Sequence, residues 1–202
     1  MGERPVQTGQ KIELTITGYS HLGEGVGKHG GFTLFVPLAA AGERVLAQVE
    51  EVKKNHGRAR LVEVIQSSPD RSAPPCDVFG RCGGCQLQHI SYPEQLRMKE
   101  RQVRDSFTRI GRMEGVRIHP VIGMRDPWRY RNKALVSFGL VNGKTVAGFY
   151  APRSHRVVDM DSCLIQHALN DRLIRKVKQL AQILKAPIYD RLGDRGILRN
   201  VM

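Results

Sequence analysis

Between residues 10 and 66 apolar side chains recur at every second position: Ile12, Leu14 and Ile16, then Phe32, Leu34 and Val36, then Val45, Ala47 and Val49. A two-residue period puts each set on one face of a pleated strand. Runs this short, joined by glycine-bearing turns such as residues 41–43, predict a small β-barrel with residues 60–65 as its last strand. Prolines at 69, 74 and 75 mark residues 67–75 as the way out of it.

A helix is expected next, over residues 91–112. Ser91 and Glu94 make a capping box, Pro93 is tolerated in a first turn, and Gly111 supplies a stop. Leu96, Val103, Phe107 and Ile110 fall on one stripe of it, and Arg97, Lys99, Arg101, Arg104 and Arg109 decorate the rest. Alternation returns with Ala134, Val136, Phe138 and Leu140, which lead into Asn142-Gly143, a dipeptide suited to a type I′ turn, and a return strand over residues 146–150. A second helix is expected over residues 166–185, with its stripe through Leu169, Leu173, Val177, Leu180 and Leu184. The last residues read as an apolar strand without a terminator, which suggests truncation. The pattern as a whole is α+β.

Charge narrows the partners. Lys and Arg number 32 against 19 acidic residues, a net charge of +13 on 202 residues. Such a surplus favours nucleic acid, because clustered cations bind phosphates and release counterions. No stretch approaches the roughly 18 apolar residues of a membrane span, and the N-terminus has no apolar export region. A soluble protein in the cytoplasm, without a membrane partner, is expected. Lys53, Lys54, His56, Arg58 and Arg60 cluster on what reads as an exposed barrel turn; a solvated loop and a phosphate-tracking edge explain the charge equally well. In Trp128-Arg129-Tyr130-Arg131-Asn132-Lys133, rings suited to base stacking alternate with cations. The rings suit a core equally. If Tyr130 begins the hairpin strand, Arg129 and Arg131 face the other side, which would be the RNA side. The glycine-rich stretch from His21 to Gly27 lacks a following helix and is a barrel turn rather than a dinucleotide loop.

The four cysteines need a joint explanation: Cys76, Cys82 and Cys85 form C-x5-C-G-G-C, and Cys163 lies far downstream. Disulfides do not suit the expected compartment. Thiolates on a glycine-rich loop suit a soft metal centre, zinc or an iron–sulfur cluster, and spacing alone does not separate the two. A Cys3His zinc site using His89 or His167 is a further option. A redox pair of Cys82 and Cys85 leaves Cys76 and Cys163 idle, so metal is preferred.

The stretch from His21 through Gly23, Glu24, Gly25, Val26 and Gly27 to Phe35-Val36-Pro37, then Ala41-Gly42-Glu43, resembles a TRAM domain, a small OB-like RNA-binding barrel. Ser68-Pro69-Asp70-Arg71, the cysteine signature running on through Gln86-Leu87-Gln88-His89, the helix start at residues 95–99, Tyr130 to Lys133, Gly148-Phe149-Tyr150, Ser154 and Cys163 resemble bacterial RNA uracil-5 methyltransferases, especially those acting on 23S ribosomal RNA. The resemblance implies a four-iron four-sulfur (4Fe-4S) cluster on Cys76, Cys82, Cys85 and Cys163, shaping the RNA-contacting domain rather than catalysing. It implies a TRAM barrel over residues 1–68, a cluster loop over 69–90, the helix over 91–112 and an incomplete central α+β domain over 113–202, with ribosomal RNA as partner and no obligate protein partner. Lys53, Lys54, Arg58, Arg60, Trp128, Arg129, Arg131 and Lys133 are the candidate RNA contacts. Because the family's first long helix packs partly on its catalytic domain, the stripe from Leu96 to Ile110 is expected to be underpacked.

The family's chemistry needs a cysteine nucleophile to attack C6, a base for the C5 proton and bound S-adenosylmethionine. The cluster accounts for all four cysteines, and no strand–glycine loop–helix unit for the donor is present, so no catalytic or donor-binding residue is assigned here and these residues alone are expected to be inactive. S-adenosylmethionine belongs to the full-length enzyme, expected to be a monomer. A TRAM-bearing radical methylthiotransferase fits less well, since its motif is C-x3-C-x2-C and its TRAM domain comes last. A stand-alone RNA-binding module with a structural metal is the other alternative.

Overall fold

The computed structural model describes residues 5–202; the first four residues of the expected barrel domain lie outside them. The chain divides into two compact units, Met1–Pro74 with Gln86–Gly123, and Pro75–Cys85 with Met124–Met202. The cysteine loop thus groups with the C-terminal part of the chain, and the first helix with the barrel.

In the first unit, strands β1 (Lys11–Tyr19), β2 (Gly25–His29), β3 (Phe32–Val36), β4 (Arg44–Val52) and β5 (His56–Gln66) close into a barrel in the order β1-β2-β3-β5-β4. All pairings are antiparallel except β3 with β5. Closure works because the alternating apolar sets point inward together: Ile12, Leu14, Ile16, Leu34, Val36, Val45, Ala47 and Val49 are buried, with Phe32 packed against them. Three details depart from the sequence reading. Residues 25–27 of the glycine-rich stretch, expected in a turn, begin strand β2 and pair with β1. Strand β5 starts at His56, so His56, Arg58 and Arg60 lie on a strand, and only Lys53 and Lys54 lie in the turn before it. The turn at residues 41–43 carries Glu43 fully buried, its carboxylate accepting from the Ala40 N–H at 2.8 Å and from Arg71 Nε at 2.5 Å.

Helix α1 (Tyr92–Asp105) begins as expected, with Ser91 Oγ accepting from the Glu94 N–H at 3.4 Å. The reciprocal half of the capping box is absent. Glu94 instead pairs with Arg97 at 2.6 Å and with Arg101, while the Ser91 N–H donates to the Asp70 carbonyl at 2.8 Å. A π-helical turn over Ser106–Ile110 follows, ending at Gly111. Met98 and Glu94 are the buried residues of α1, whereas Val103 is 44% and Ile110 82% exposed, so much of the expected stripe is uncovered.

The second unit is a four-stranded antiparallel sheet in the order β8-β7-β6-β9, made of β6 (Val136–Val141), β7 (Lys144–Tyr150), β8 (Val157–Asp159) and β9 (Asn200–Val201). The hairpin turns at Asn142 and Gly143, whose φ values of 51° and 74° are those a type I′ turn requires. Strand β6 starts at Val136 rather than at Tyr130. Helix α2 (Ala168–Ile183), capped by His167, contributes Ile174 and Ala181 to a core that includes Val136, Phe138, Ala147, Cys163 and Ile165. The expected stripe is not the buried face: Leu169, Leu173, Leu180 and Leu184 are exposed, and the inward positions are Asp171, Ile174 and Ala181, with Val177 partly buried. Among the described residues no helix is long and apolar enough to cross a membrane.

Candidate functional sites in the cysteine unit and the barrel

All four cysteines lie in the second unit, and none forms a disulfide. Residues 76–85 are shaped by tight backbone turns. The Phe79 N–H donates to the Cys76 carbonyl at 3.0 Å, and the Cys82 N–H to the Val78 carbonyl at 2.8 Å. Gly83 comes close to strand β7, its N–H bonding the Tyr150 carbonyl at 2.9 Å, and an added Cβ would meet that same oxygen at 2.9 Å. Only glycine allows this approach. The Gly84 N–H points at Cys82 Sγ, 3.4 Å away.

Burial pushes the Cys82 thiol up; the Gly84 N–H opposes this, and the charges of Cys163 and then Cys76 add to the rise. Cys85 packs against the core that contains Cys163. Among the described residues, no group of three or more His, Cys, Asp or Glu side chains is gathered into a site for a metal ion. The donor set, four thiols with an N–H aimed at a sulfur, has the chemistry that suits a cluster. His89 is buried in the first unit, and His167 caps α2 through Nδ1, which accepts from the Leu169 N–H at 3.2 Å.

Residues 128–133 lie before strand β6, so Tyr130 does not begin the hairpin strand. They run beside residues 164–167: the Arg129 N–H bonds the Leu164 carbonyl at 2.9 Å, the Arg131 N–H bonds that of Ile165 at 2.7 Å, and the His167 N–H bonds that of Arg131 at 3.0 Å. Trp128 packs against the core instead of forming an open stacking platform. Arg129 is engaged internally, its Nη1 lying 2.7 Å from Asp171 Oδ2. Arg131 lies over the Phe149 ring at 5.7 Å, and Tyr130 and Lys133 are exposed. The ring of this segment that remains open for stacking is therefore Tyr130. Nothing in a sequence motif marks Asp171 or Gln166, because an acidic residue in a first helical turn ordinarily reads as a solvated partner of the helix dipole.

On the barrel, Lys53 and Lys54 are exposed at the β4–β5 turn, with Lys53 3.3 Å from Glu51. Arg60 is exposed on β5 and donates to Gln48 at 2.8 Å. Arg58 is partly buried in an ion pair with Glu24, so it belongs to the barrel wall more than to an open basic edge.

Five strands closed in this order, with β3 and β5 parallel, define an OB-like barrel, and residues 5–62 match the family model of the TRAM domain. Over nearly its whole length the chain is similar to proteins named as uncharacterized RNA methyltransferases. One from Halalkalibacterium halodurans is 50% identical over 200 residues, covering 99% of this chain and 44% of that protein. One from Listeria monocytogenes is 44% identical over 193 residues, covering 96% and 42%. The chain thus spans less than half the length of the curated relatives it matches. In fold it resembles the crystal structure of Pyrococcus abyssi tRNA (uracil-54, C5)-methyltransferase in complex with S-adenosyl-L-homocysteine, with a TM-score of 0.66 at 23% identity over 93% of this chain and 41% of that one.

Proposed function

We propose that this chain is the RNA-gripping, iron–sulfur-carrying part of an S-adenosylmethionine-dependent RNA uracil-5 methyltransferase that acts on ribosomal RNA in the cytoplasm. The observation that carries the reading is the placement of Cys76, Cys82, Cys85 and Cys163 in one unit of a chain whose barrel matches the TRAM domain. The names of the relatives, RNA methyltransferases at 50% and 44% identity, support the reaction class.

In this reading Cys76, Cys82, Cys85 and Cys163 hold the cluster. When bound, it supplies iron–thiolate bonds that tie the loop at residues 76–85 to the Cys163 turn, and four protein thiolates leave no iron open for chemistry. Lys53, Lys54 and Arg60 grip phosphates along the barrel edge; Arg131 and Lys133, with Tyr130 as a stacking ring, make the second contact. No residue here is given a catalytic role. These residues alone are proposed to transfer no methyl group.

Anaerobic purification followed by visible absorption and iron, sulfide and zinc analysis tests the reading. A brown protein with near-equal iron and sulfide is expected. A colourless protein holding one zinc would sink it and favour a stand-alone RNA-binding module. Binding to ribosomal RNA fragments and to tRNA, measured side by side, separates the two substrate classes.

A further inference from the structure

Cys163 stands in a short turn at the foot of helix α2, closed by a bond from the Gln166 N–H to the Cys163 carbonyl at 3.2 Å. A charge network built on a buried carboxylate and a partly exposed guanidinium surrounds this turn. Asp171, with its side chain only 6% exposed, accepts through Oδ1 from the Cys163 N–H at 2.9 Å and from Gln166 Nε2 at 2.6 Å. Its Oδ2 accepts from Arg129 Nη1 at 2.7 Å. That same nitrogen donates to the carbonyls of Cys163 at 2.8 Å and Gln166 at 3.1 Å. Arg129 itself sits at a φ of 55°, a left-handed conformation uncommon for a side chain of its kind.

So elaborate a brace is costly. A buried carboxylate must give up its hydration, and a partner as exposed as Arg129 offsets that only in part. What this one does locally is hold both backbone polar groups of a single residue, Cys163, with its N–H on Asp171 and its carbonyl on Arg129. With N–H and C=O both held, the backbone that sets the Cα–Cβ direction is fixed before any ligand arrives.

We propose that Arg129 and Asp171 form a clamp that positions Cys163 as the fourth ligand of the cluster, which makes Arg129 a positioning residue instead of an RNA contact. The inference rests on the iron–sulfur reading above. Partners that orient a ligand from outside its first shell are worth about ten- to a hundredfold in metal affinity.

The test uses the full chain, purified without oxygen, as wild type, Asp171→Asn, Arg129→Ala, Arg129→Lys and, as control, Arg172→Ala at an exposed position of the same helix. Iron release to a chelator is followed at a temperature where circular dichroism shows each protein folded. Release about ten- to a hundredfold faster than wild type is expected for Asp171→Asn and Arg129→Ala, with partial rescue in Arg129→Lys and no change in Arg172→Ala. Mild oxidation adds a readout that a general loss of stability would not move. One electron passes to ferricyanide, one ferrous ion leaves, and a three-iron cluster remains, visible by electron paramagnetic resonance. The clamp variants accumulate it sooner, because the iron on Cys163 is the one loosened. Wild-type release and oxidation rates in the variants, from a protein that is itself brown, overturn the clamp alone. A wild type that holds neither iron nor sulfide overturns the cluster reading and the clamp with it. If Arg129→Ala does not fold, Asp171→Asn and Arg129→Lys carry the same comparison.

Discussion

Arg71 acts on two buried titratable neighbours in the barrel unit. For Glu43, burial alone would raise the carboxyl, but hydrogen bonds from Arg71 and the Ala40 N–H outweigh it and hold the group below its ordinary 4.5. For His89, burial and then the Arg71 charge push the imidazole down from 6.5 to about 4, against a backbone bond from Ala39. Both shifts have the same sign for stability. The unfolded chain binds the proton more readily, so stability is fully present above the ordinary values and is lost as pH falls through the lowered ones. His89 alone is expected to cost about 3 kcal/mol between pH 7 and pH 4, with Glu43 adding to the loss below about 4.5. Urea unfolding across that range should show the fall, and His89→Gln should flatten its upper part; an equally steep curve in the variant would contradict it. Breaking the pair from the other side, Arg71→Ala leaves a fully buried carboxylate without its cation and is expected to cost about 2–4 kcal/mol, toward the low end because Arg71 is itself a quarter exposed.

At the scale of elements, helix α2 shows a conflict between pattern and packing. Leucines at 169, 173, 180 and 184 make the better apolar stripe on paper, yet they are exposed by 49%, 52%, 52% and 72%. Asp171 has to reach Arg129 and the Cys163 turn, and a helix that turns 171 inward carries 174 and 181 with it and leaves the leucines outside. Ile174→Ala is therefore expected to lower stability by about 2–4 kcal/mol. Leu173→Ala, one position away, should change it by no more than about 0.5 kcal/mol. Equal losses in denaturant unfolding would mean that the helix is rotated from the arrangement described. The Asn142-Gly143 hairpin has no such conflict: its turn chemistry and its alternation are both local, so its existence is legible in the sequence, although its first strand begins at Val136 and not at Tyr130.

For the molecule as a whole, a charge of +13 means that the proposed binding to RNA should depend on salt, and the open cations should account for that dependence. Removing Lys53 or Lys54 is expected to weaken binding to all RNA sequences alike and to reduce the salt slope by about 1 for each phosphate no longer neutralised. Arg58→Ala should act differently, since Arg58 is paired with Glu24: the loss should be in barrel stability. Titration of labelled RNA at several salt concentrations, with a thermal melt of each variant, distinguishes the two.

The sequence by itself determined a small β-barrel, the start of helix α1, the central hairpin and the four thiols, because two-residue alternation, caps, turn dipeptides and cysteine spacing are all written within a few residues of one another. It also carried the resemblance that the TRAM match over residues 5–62 supports. Tertiary structure alone decided the face that α2 buries, the packing of Trp128 into the core, the pairing of Arg58, and the use of Arg129 as a brace. Each depends on partners distant in the chain, 34 residues away for Arg58 and Glu24 and 42 for Arg129 and Asp171. A charged side chain reads the same in sequence whether it meets phosphate or a buried carboxylate, and only the folded chain brings the carboxylate to it.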